Sequence, residues 1–378
     1  MPTRREPYLL VIRSGPYYAY DILTHFGETF GSTFDGELVT FGPEPIDMDL
    51  GRFRVRILPQ RGPPNLGKRL RYLVRVLWRA VRARWLLRRP LVVITYDPFQ
   101  SGIIGLVAKW MTGGRFICEV NGIYGHKDTL IDIEDPGVRE AKRTRMLKVG
   151  SFVLRRATVI KLLFPQQLEG FSLPADRPPR VSFFDLVHQE QFEPQGVEPE
   201  KQLLFVGHPF LLKGVDVLLQ AFGRVSEEFP DWSLLIIGWQ IEESASKGSF
   251  PTERVRFLGP QSAQDLSVWM ESSKALVLPS RSEGMGRVLL EAAFKGRARI
   301  GSRIGGIPSV IEDGIDGLLF ESGSVDGLEH QLRRFMADPD LQARLGVGAL
   351  RRARKEFTAD EYLRRYEEVI SLALAKDR

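Results

Sequence analysis

Cysteine is almost missing from this 378-residue chain. Cys118 stands alone, which excludes an intramolecular disulfide framework and a cysteine-based zinc site. Histidine is nearly as sparse: His25, His126, His188, His208 and His330 form no pair one helical turn apart, so the usual zinc-hydrolase pattern is absent. No apolar run approaches the length of a membrane-spanning helix. The first, Tyr8 to Ile12, is stopped by Arg13; it has the length of a buried strand, and the N-terminus does not read as a signal peptide. No Gly-x-Gly-x-x-Gly turn follows that strand. Ser14-Gly-Pro-Tyr-Tyr-Ala stands there instead, which disfavours an NAD-dependent epimerase or dehydrogenase. Internal repeats and low-complexity tracts are also lacking. A single thiol in a chain of this size fits a reducing compartment, and the expectation is a cytoplasmic protein, soluble or peripheral on a membrane.

What is present is globular: 43% apolar and 26% charged residues, enough for two domains with cores of their own. The net charge of +6 is unevenly spread. Residues 1–190 carry 29 Lys/Arg against 19 Asp/Glu, whereas 191–378 carry 24 against 28. A basic first half points to an anionic partner or to a solvated basic surface. Short apolar runs alternate with helix-period stretches throughout, the pattern of parallel sheets covered by helices. In the first half, Tyr8–Ile12, Glu37–Phe41, Arg54–Leu58, Leu91–Thr95 and Arg115–Val120 read as strands. In the second half the strands are Leu203–Val206, Ser233–Ile237, Val255–Leu258 and Ala275–Leu278, with helices at Val215–Phe229, Ala263–Ser272 and Arg287–Phe294. The Pro- and Gln-containing segment Phe192–Glu200 reads as the linker. The expectation is an α/β protein with domains at 1–191 and 192–357 and a C-terminal helix, 358–378, crossing back to the first. Two such domains place a cleft between the carboxyl ends of their sheets.

The most informative stretch is Ser280-Arg-Ser-Glu-Gly-Met-Gly-Arg-Val-Leu-Leu-Glu-Ala-Ala. A strand ends at Pro279, a glycine-flanked loop carries Glu283, and a helix starts near Gly286 with Glu291 in its second turn. Gly284 and Gly286 let the backbone approach a ligand, and the free N–H groups of the helix start form an anion or hydroxyl site. Carboxylates at this place are suited to accept hydrogen bonds from sugar hydroxyls.

This segment resembles the Glu-x7-Glu signature of the retaining family 4 glycosyltransferases (glycosyl transferases group 1), which have the GT-B fold of two Rossmann-like domains facing across a cleft. Leu204-Phe-Val-Gly-His-Pro-Phe-Leu-Leu-Lys-Gly-Val-Asp resembles that family's strand–loop–helix with its Lys-Gly pair. Ile304-Gly-Gly-Ile-Pro and Asp313-Gly-Ile-Asp-Gly-Leu-Leu-Phe resemble its next loop. The resemblance covers about Leu203 to Phe320 and implies a nucleotide-sugar donor held by the second domain. Lys213 would be the cation at the diphosphate, with the Gly207 turn allowing its approach. Glu283 would contact the transferred sugar, helped by the N–H groups of Gly284, Met285 and Gly286, and Glu291 would bind the ribose hydroxyls. Lys213, the helix-start N–H groups, His208 and Arg287 would stabilise the leaving diphosphate in place of a metal. Retention in this family is attributed to front-face attack, with the leaving phosphate taking the acceptor proton, which requires no enzymic base.

Departures from the family pattern are specific. His208 stands where the family usually has Arg after the strand glycine, and Ser309 where it usually has Glu after the Gly-Gly-x-Pro turn. Glu119-Val-Asn-Gly-Ile places Asn121 where many members carry His near the sugar; an amide can orient a hydroxyl but cannot exchange its proton. Gly15, leaving the first strand, stands where the family often has a glycine pair near the donor phosphates.

Lys68 to Arg89 holds nine basic residues and no acid. On a helix, Arg71, Arg75, Arg79, Arg82 and Arg89 share one arc, Leu70, Leu73, Leu77 and Val81 the opposite one, and Trp78 and Trp85 the border. That is the pattern of an interfacial helix on an anionic membrane, or of a helix that packs on a sheet and solvates its arginines. Asp47-Met-Asp49 has the spacing of a metal-binding carboxylate pair but arises easily by chance. No aromatic-basic nucleic-acid module accompanies the arginines. The reading is therefore a metal-independent retaining hexosyltransferase, using a nucleotide-diphosphate sugar and a lipid-linked or polysaccharide acceptor. The alternative is a non-catalytic nucleotide-sugar-binding partner of another transferase.

Overall fold

A computed structural model describes residues 6–16, 29–42, 45–59, 66–126, 130, 133–238 and 252–375. The chain divides into two compact units. The first comprises Met1–Gly125, Ile133–Phe183 and Tyr362–Arg378, and the second His126–Asp132 and Phe184–Glu361.

The first unit is built on an eight-stranded sheet. In chain order its strands are β1 (Tyr8–Pro16), β2 (Gly36–Gly42), β3 (Ile46–Leu50), β4 (Phe53–Pro59), β5 (Leu91–Thr95), β6 (Arg115–Val120), β7 (Val159–Leu162) and β8 (Arg180–Ser182), and their spatial order is β3-β4-β2-β1-β5-β6-β7-β8. Every pairing is parallel except β3 with β4. Helices cover the sheet, so β1 and β5 are apolar on both faces and buried throughout Leu9–Ile12 and Leu91–Ile94. The antiparallel edge strand β3 alternates instead. Its Asp47 and Asp49 reach the solvent side and pair with Arg54 across the ladder at 2.7 and 3.5 Å, while Asp47 also meets Arg56 at 2.6 Å.

Long helices follow: α1 (Leu66–Val81), α2 (Gln100–Thr112) and α3 (Pro136–Leu154). The basic helix expected over Lys68–Arg89 is shorter and differently turned. It runs to Val81, widens into a π-type turn at Arg82–Leu86 and stops, with Arg88 in the left-handed region (φ 51°). Tyr72, Val76, Ala80 and Ala83 form the buried stripe; Leu73 and Leu77 of the expected arc are half-buried and pack beside it, Val81 is half-buried, and Leu70 is exposed. The reason is electrostatic as well as apolar. Glu37, buried on β2, is held by Arg56 at 3.1 Å and Arg79 at 3.2 Å, which draws Arg79 inward and rotates Leu70, Val74 and Trp78 to the surface. Arg89 leaves the expected arc altogether and bonds Asp35 at 2.6 Å and the carbonyls of Glu6 and Pro7. The side chains of Lys68 and Arg69 lie outside the described residues.

The second unit has a six-stranded, all-parallel sheet of order β11-β10-β9-β12-β13-β14. Its strands are β9 (Glu200–Val206), β10 (Ser233–Ile237), β11 (Val255–Leu258), β12 (Ser273–Leu278), β13 (Ala298–Ser302) and β14 (Leu318–Phe320). Helices α4 (Val215–Val225), α5 (Ala263–Ser272), α6 (Arg287–Phe294), α7 (Val325–Ala337) and α8 (Pro339–Glu356) accompany it, and α9 (Ala359–Leu374) carries the chain into the first unit. Helix starts follow local chemistry. Ser262 caps α5 through the Asp265 N–H at 3.1 Å, and Asp338, followed by Pro339, caps α8.

The chain passes from the first unit to the second between Phe183 and Phe184, ahead of the boundary expected at 191–192. The segment Phe192–Glu200 is not a free linker. Glu271 accepts the N–H groups of Gln195 (2.5 Å) and Val197 (3.1 Å), and its buried partner Lys295 bonds both Glu271 (2.6 Å) and the Glu193 carbonyl (2.8 Å). Burial alone would push the Glu271 carboxyl upward, but the Lys295 ammonium and these amides outweigh it, so it ionises below the usual carboxylate value. Among the described residues no helix is long and apolar enough to cross a membrane.

Candidate active site

The carboxyl edge of the second sheet gathers most of the residues singled out by sequence. Strand β9 ends in Gly207, whose N–H bonds the Ile237 carbonyl of β10 at 3.0 Å, and exposed His208 follows. A tight turn from Pro209 closes with the Lys213 N–H on the Pro209 carbonyl (3.0 Å) and the Gly214 N–H on Leu211 (3.2 Å). Gly214 has φ 72°, and a Cβ there would stand 2.0 Å from the Pro279 carbonyl oxygen, so only glycine lets this turn press against the end of β12. That approach sets Lys213 beside the loop after Pro279. Its Nζ lies 2.6 Å from Glu283 Oε2, and the Ser280 hydroxyl donates to the same oxygen at 3.2 Å. Both groups are mostly enclosed, with side-chain exposures of 19% and 10%. Glu283 Oε1 receives no hydrogen bond from the described residues.

Beyond Glu283 the loop turns at Gly286 (φ 74°) into α6. The Gly284 carbonyl accepts the Gly306 N–H at 3.0 Å, tying this loop to the next. The Met285 side chain is buried, its sulfur 3.3 Å from the Asp185 N–H. Glu291, 7% exposed one turn into α6, accepts from Arg287 Nε at 3.1 Å, while Arg287 itself reaches solvent. The structure thus joins Lys213 to Glu283 and Arg287 to Glu291, two cation–carboxylate pairs on either side of one helix start.

Sequence reasoning missed the clamp that holds these loops. Arg281 makes two 2.6 Å bonds to the Asp216 carboxylate in the first turn of α4 and a third, 2.7 Å, to the Leu211 carbonyl. The Ser280 carbonyl accepts the hydroxyls of Ser302 (2.7 Å) and Ser322 (3.0 Å). Arg281 sits two residues before Glu283, yet nothing in the sequence assigns its partner 65 positions earlier. Ser309, in the family's usual Glu position, lies in a short helical turn whose carbonyl is held by Arg352 Nη2 at 2.6 Å. The loop after Gly238, residues 239–251, lies outside the described residues.

Asn121 and Gly15 belong to the first unit, at the carboxyl ends of β6 and β1. Asn121 Nδ2 donates to the Tyr96 carbonyl and to Glu119 Oε2, each at 3.1 Å, and its buried Oδ1 has no partner among the described residues. Glu119 is wholly buried, 3.5 Å from Lys161 Nζ, and accepts the Tyr366 hydroxyl of α9. Burial, reinforced by the Glu119 charge, holds the Tyr366 phenol well above its ordinary value, so it remains the donor.

Two parallel α/β units, the second with paired cations and carboxylates where its strands end, define the GT-B class of architecture. Residues 187–352, most of the second unit, match the family model described as glycosyl transferases group 1. N-acetyl-alpha-D-glucosaminyl L-malate synthase of Bacillus anthracis is 31% identical over 185 residues, 48% of this chain and 48% of that protein. The chain thus spans about half the length of the curated relative it matches. Among solved structures, sucrose-phosphate synthase from Thermosynechococcus elongatus superposes with a TM-score of 0.74 at 19% identity, over 97% of this chain and 100% of that one. Anabaena HepE in complex with UDP-glucose gives 0.71 at 14%, over 97% and 99%. At these identities the structural likeness concerns the fold.

Proposed function

We propose that the protein is a retaining hexosyltransferase whose second unit binds a nucleotide-diphosphate sugar and whose first unit receives a lipid-linked or polysaccharide acceptor. The observation that carries this reading is the 2.6 Å Lys213–Glu283 pair beside the α6 start, with Glu291 enclosed behind it. A cation already desolvated and oriented is what a departing diphosphate needs. Phosphate oxygens would take over Lys213, the α6 N–H groups would share the charge, and His208 and Arg287 would stand at its edge, with no metal required. Glu283, freed from Lys213, would accept hydroxyls of the transferred sugar, and Glu291 would accept those of the ribose. The fold neighbour crystallised with UDP-glucose makes UDP-sugars the first donors to try. Asn121, with its unused amide oxygen, would orient an acceptor hydroxyl. The exposed Arg71, Arg75 and Arg82 with Trp78 and Trp85 would rest the first unit on anionic lipid.

A metal-free thermal-shift screen over UDP-, GDP-, ADP- and dTDP-sugars identifies the donor, because binding raises the unfolding temperature by mass action. With that donor, Glu283→Ala is expected to abolish transfer and donor hydrolysis while a shift remains. A wild-type protein that binds the donor and turns over nothing, with any acceptor class, would instead favour the non-catalytic partner reading.

A further inference from the structure

Helices α1, α2 and α3 pack on one face of the first sheet and share its core, yet their outer sides do not meet. Between them lies an open groove of about 610 Å³. Leu70, Ile103, Val107 and Met146 contribute to its walls, and no carboxylate lines it. Leu70 and Ile103 are 57% and 45% exposed, a cost in water that an isolated surface residue does not explain when several share one trough. Two cations, Lys142 and Arg145, stand on the α3 side, and neither pairs with a carboxylate among the described residues. An apolar floor with a cationic rim is complementary to a hydrocarbon chain that ends in an anionic group such as a phosphate.

Direction along the groove follows from topology. Helix α2 begins at Gln100, just after β5 ends at Thr95, and α3 begins after β6 ends at Val120. The Gln100 and Lys142 end of the groove therefore lies toward the carboxyl edge of the sheet, the edge on which Asn121 sits. From Gln100 to Val107 it follows α2 for about 10 Å, two helical turns. Exposed Val74 and Trp78 on α1 extend the apolar surface beyond Leu70.

We infer that this groove binds the hydrocarbon chain of a phosphate-linked lipid acceptor, with the phosphate at Lys142 and Arg145 and the sugar-accepting end at the carboxyl edge. The inference rests on the acceptor role proposed for the first unit and commits it to the lipid-linked class. The probe is decyl phosphate below its micellar concentration, titrated calorimetrically into the full chain, with inorganic phosphate and decyl glucoside as controls. Decyl phosphate is expected to bind, inorganic phosphate not to bind measurably, and decyl glucoside to bind about tenfold more weakly. Ile103→Asp and, on the opposite wall, Leu70→Asp should each weaken decyl phosphate about tenfold or more. Lys142→Glu combined with Arg145→Glu should bring it down to the level of decyl glucoside. Thermal shift with the nucleotide-sugar donor should be unchanged in all of these variants, which reports both folding and the separate donor site. If donor binding is absent while decyl phosphate behaves as stated, the transferase reading fails and the groove assignment stands. Decyl phosphate binding equally to the wild type and both Asp variants, or not at all, overturns the groove assignment. Self-association of the protein that Ile103→Asp abolishes would assign the groove to a second copy of this chain and overturn it as well.

Discussion

The two units solve the same architectural problem and leave different residues over. In the second unit the described polar groups at the carboxyl edge include several that are tied to one another: Arg281 with Asp216, Ser302 and Ser322 with the Ser280 carbonyl, Lys213 with Glu283. Both units also bury ion pairs, Glu271 with Lys295 and Arg299 with Asp316 in the second, and Glu119 with Lys161 and Glu37 with Arg56 and Arg79 in the first. What remains on the outside of the first unit is large and apolar, from Leu70 and Trp78 to Ile103 and Trp110. A rigid, prepaid hydrogen-bond lattice suits a small polar ligand of fixed shape, whereas an apolar face rimmed by cations suits a partner that slides and varies.

The comparison breaks first if the donor lattice does not matter. Lys213→Ala removes the cation from the Glu283 pair, and turnover is expected to fall by about 10² to 10³. Initial rates at saturating donor check it; a loss confined to KM would move Lys213 from leaving-group stabilisation to ground-state binding. Next in size is Glu271→Gln. It leaves buried Lys295 without its counter-charge, while the remaining amide oxygen can still accept the Gln195 and Val197 N–H groups, at an expected cost of about 3–5 kcal/mol in urea unfolding of the second unit. The same pair sets an acid limit. Because Glu271 ionises below its unfolded value of 4.5, its contribution is present above that pH and disappears as pH falls through the lower folded value. Wild-type stability should therefore drop below about pH 4.5 more steeply than that of Glu271→Gln.

Tyr366→Phe tests the inward network of the first unit. Removing one donor from Glu119 is expected to cost about 1–3 kcal/mol, with Lys161 and Asn121 still in place. Protection of the β6 amides in hydrogen exchange reads the loss where it occurs. The smallest effect belongs to the outer face. Arg75→Ala should weaken co-sedimentation with anionic vesicles by about 1 kcal/mol and leave neutral vesicles unaffected; unchanged anionic binding would return α1 to the role of a solvated cover.

Legibility in the sequence followed the same division. Strand positions β1, β5, β10 and β12 could be read because uniform apolar runs have no other use in a helix-covered sheet. β13 was missed because Arg299 interrupts it. That arginine is fully buried, bonded to Asp316 and the Val310 carbonyl, and burial lowers it to about 10. β7 hid behind Lys161 in the same way, since a buried charge is legible only with its partner in view. The residues proposed for the donor site lie within short loop–helix motifs, so that Lys213 and Glu283 stand together could be anticipated from local spacing. The Arg281–Asp216 clamp spans two motifs and left no local trace. For α1, helical periodicity located the element but not its rotation, because that depended on the remote Glu37.

Tyr366 has one more implication. Its ring meets Phe30 and Phe183 edge-to-face, with centroids 5.0 and 5.1 Å away, while its hydroxyl donates to Glu119, yet a ribosome reaches it only after making all of residues 184–361. During synthesis the earlier half must wait, its acidic centre uncapped, while the later half can already condense. Any truncation that trims α9 should therefore harm the portion of the molecule most distant from it in sequence, and chaperone dependence should fall on the half that is born first.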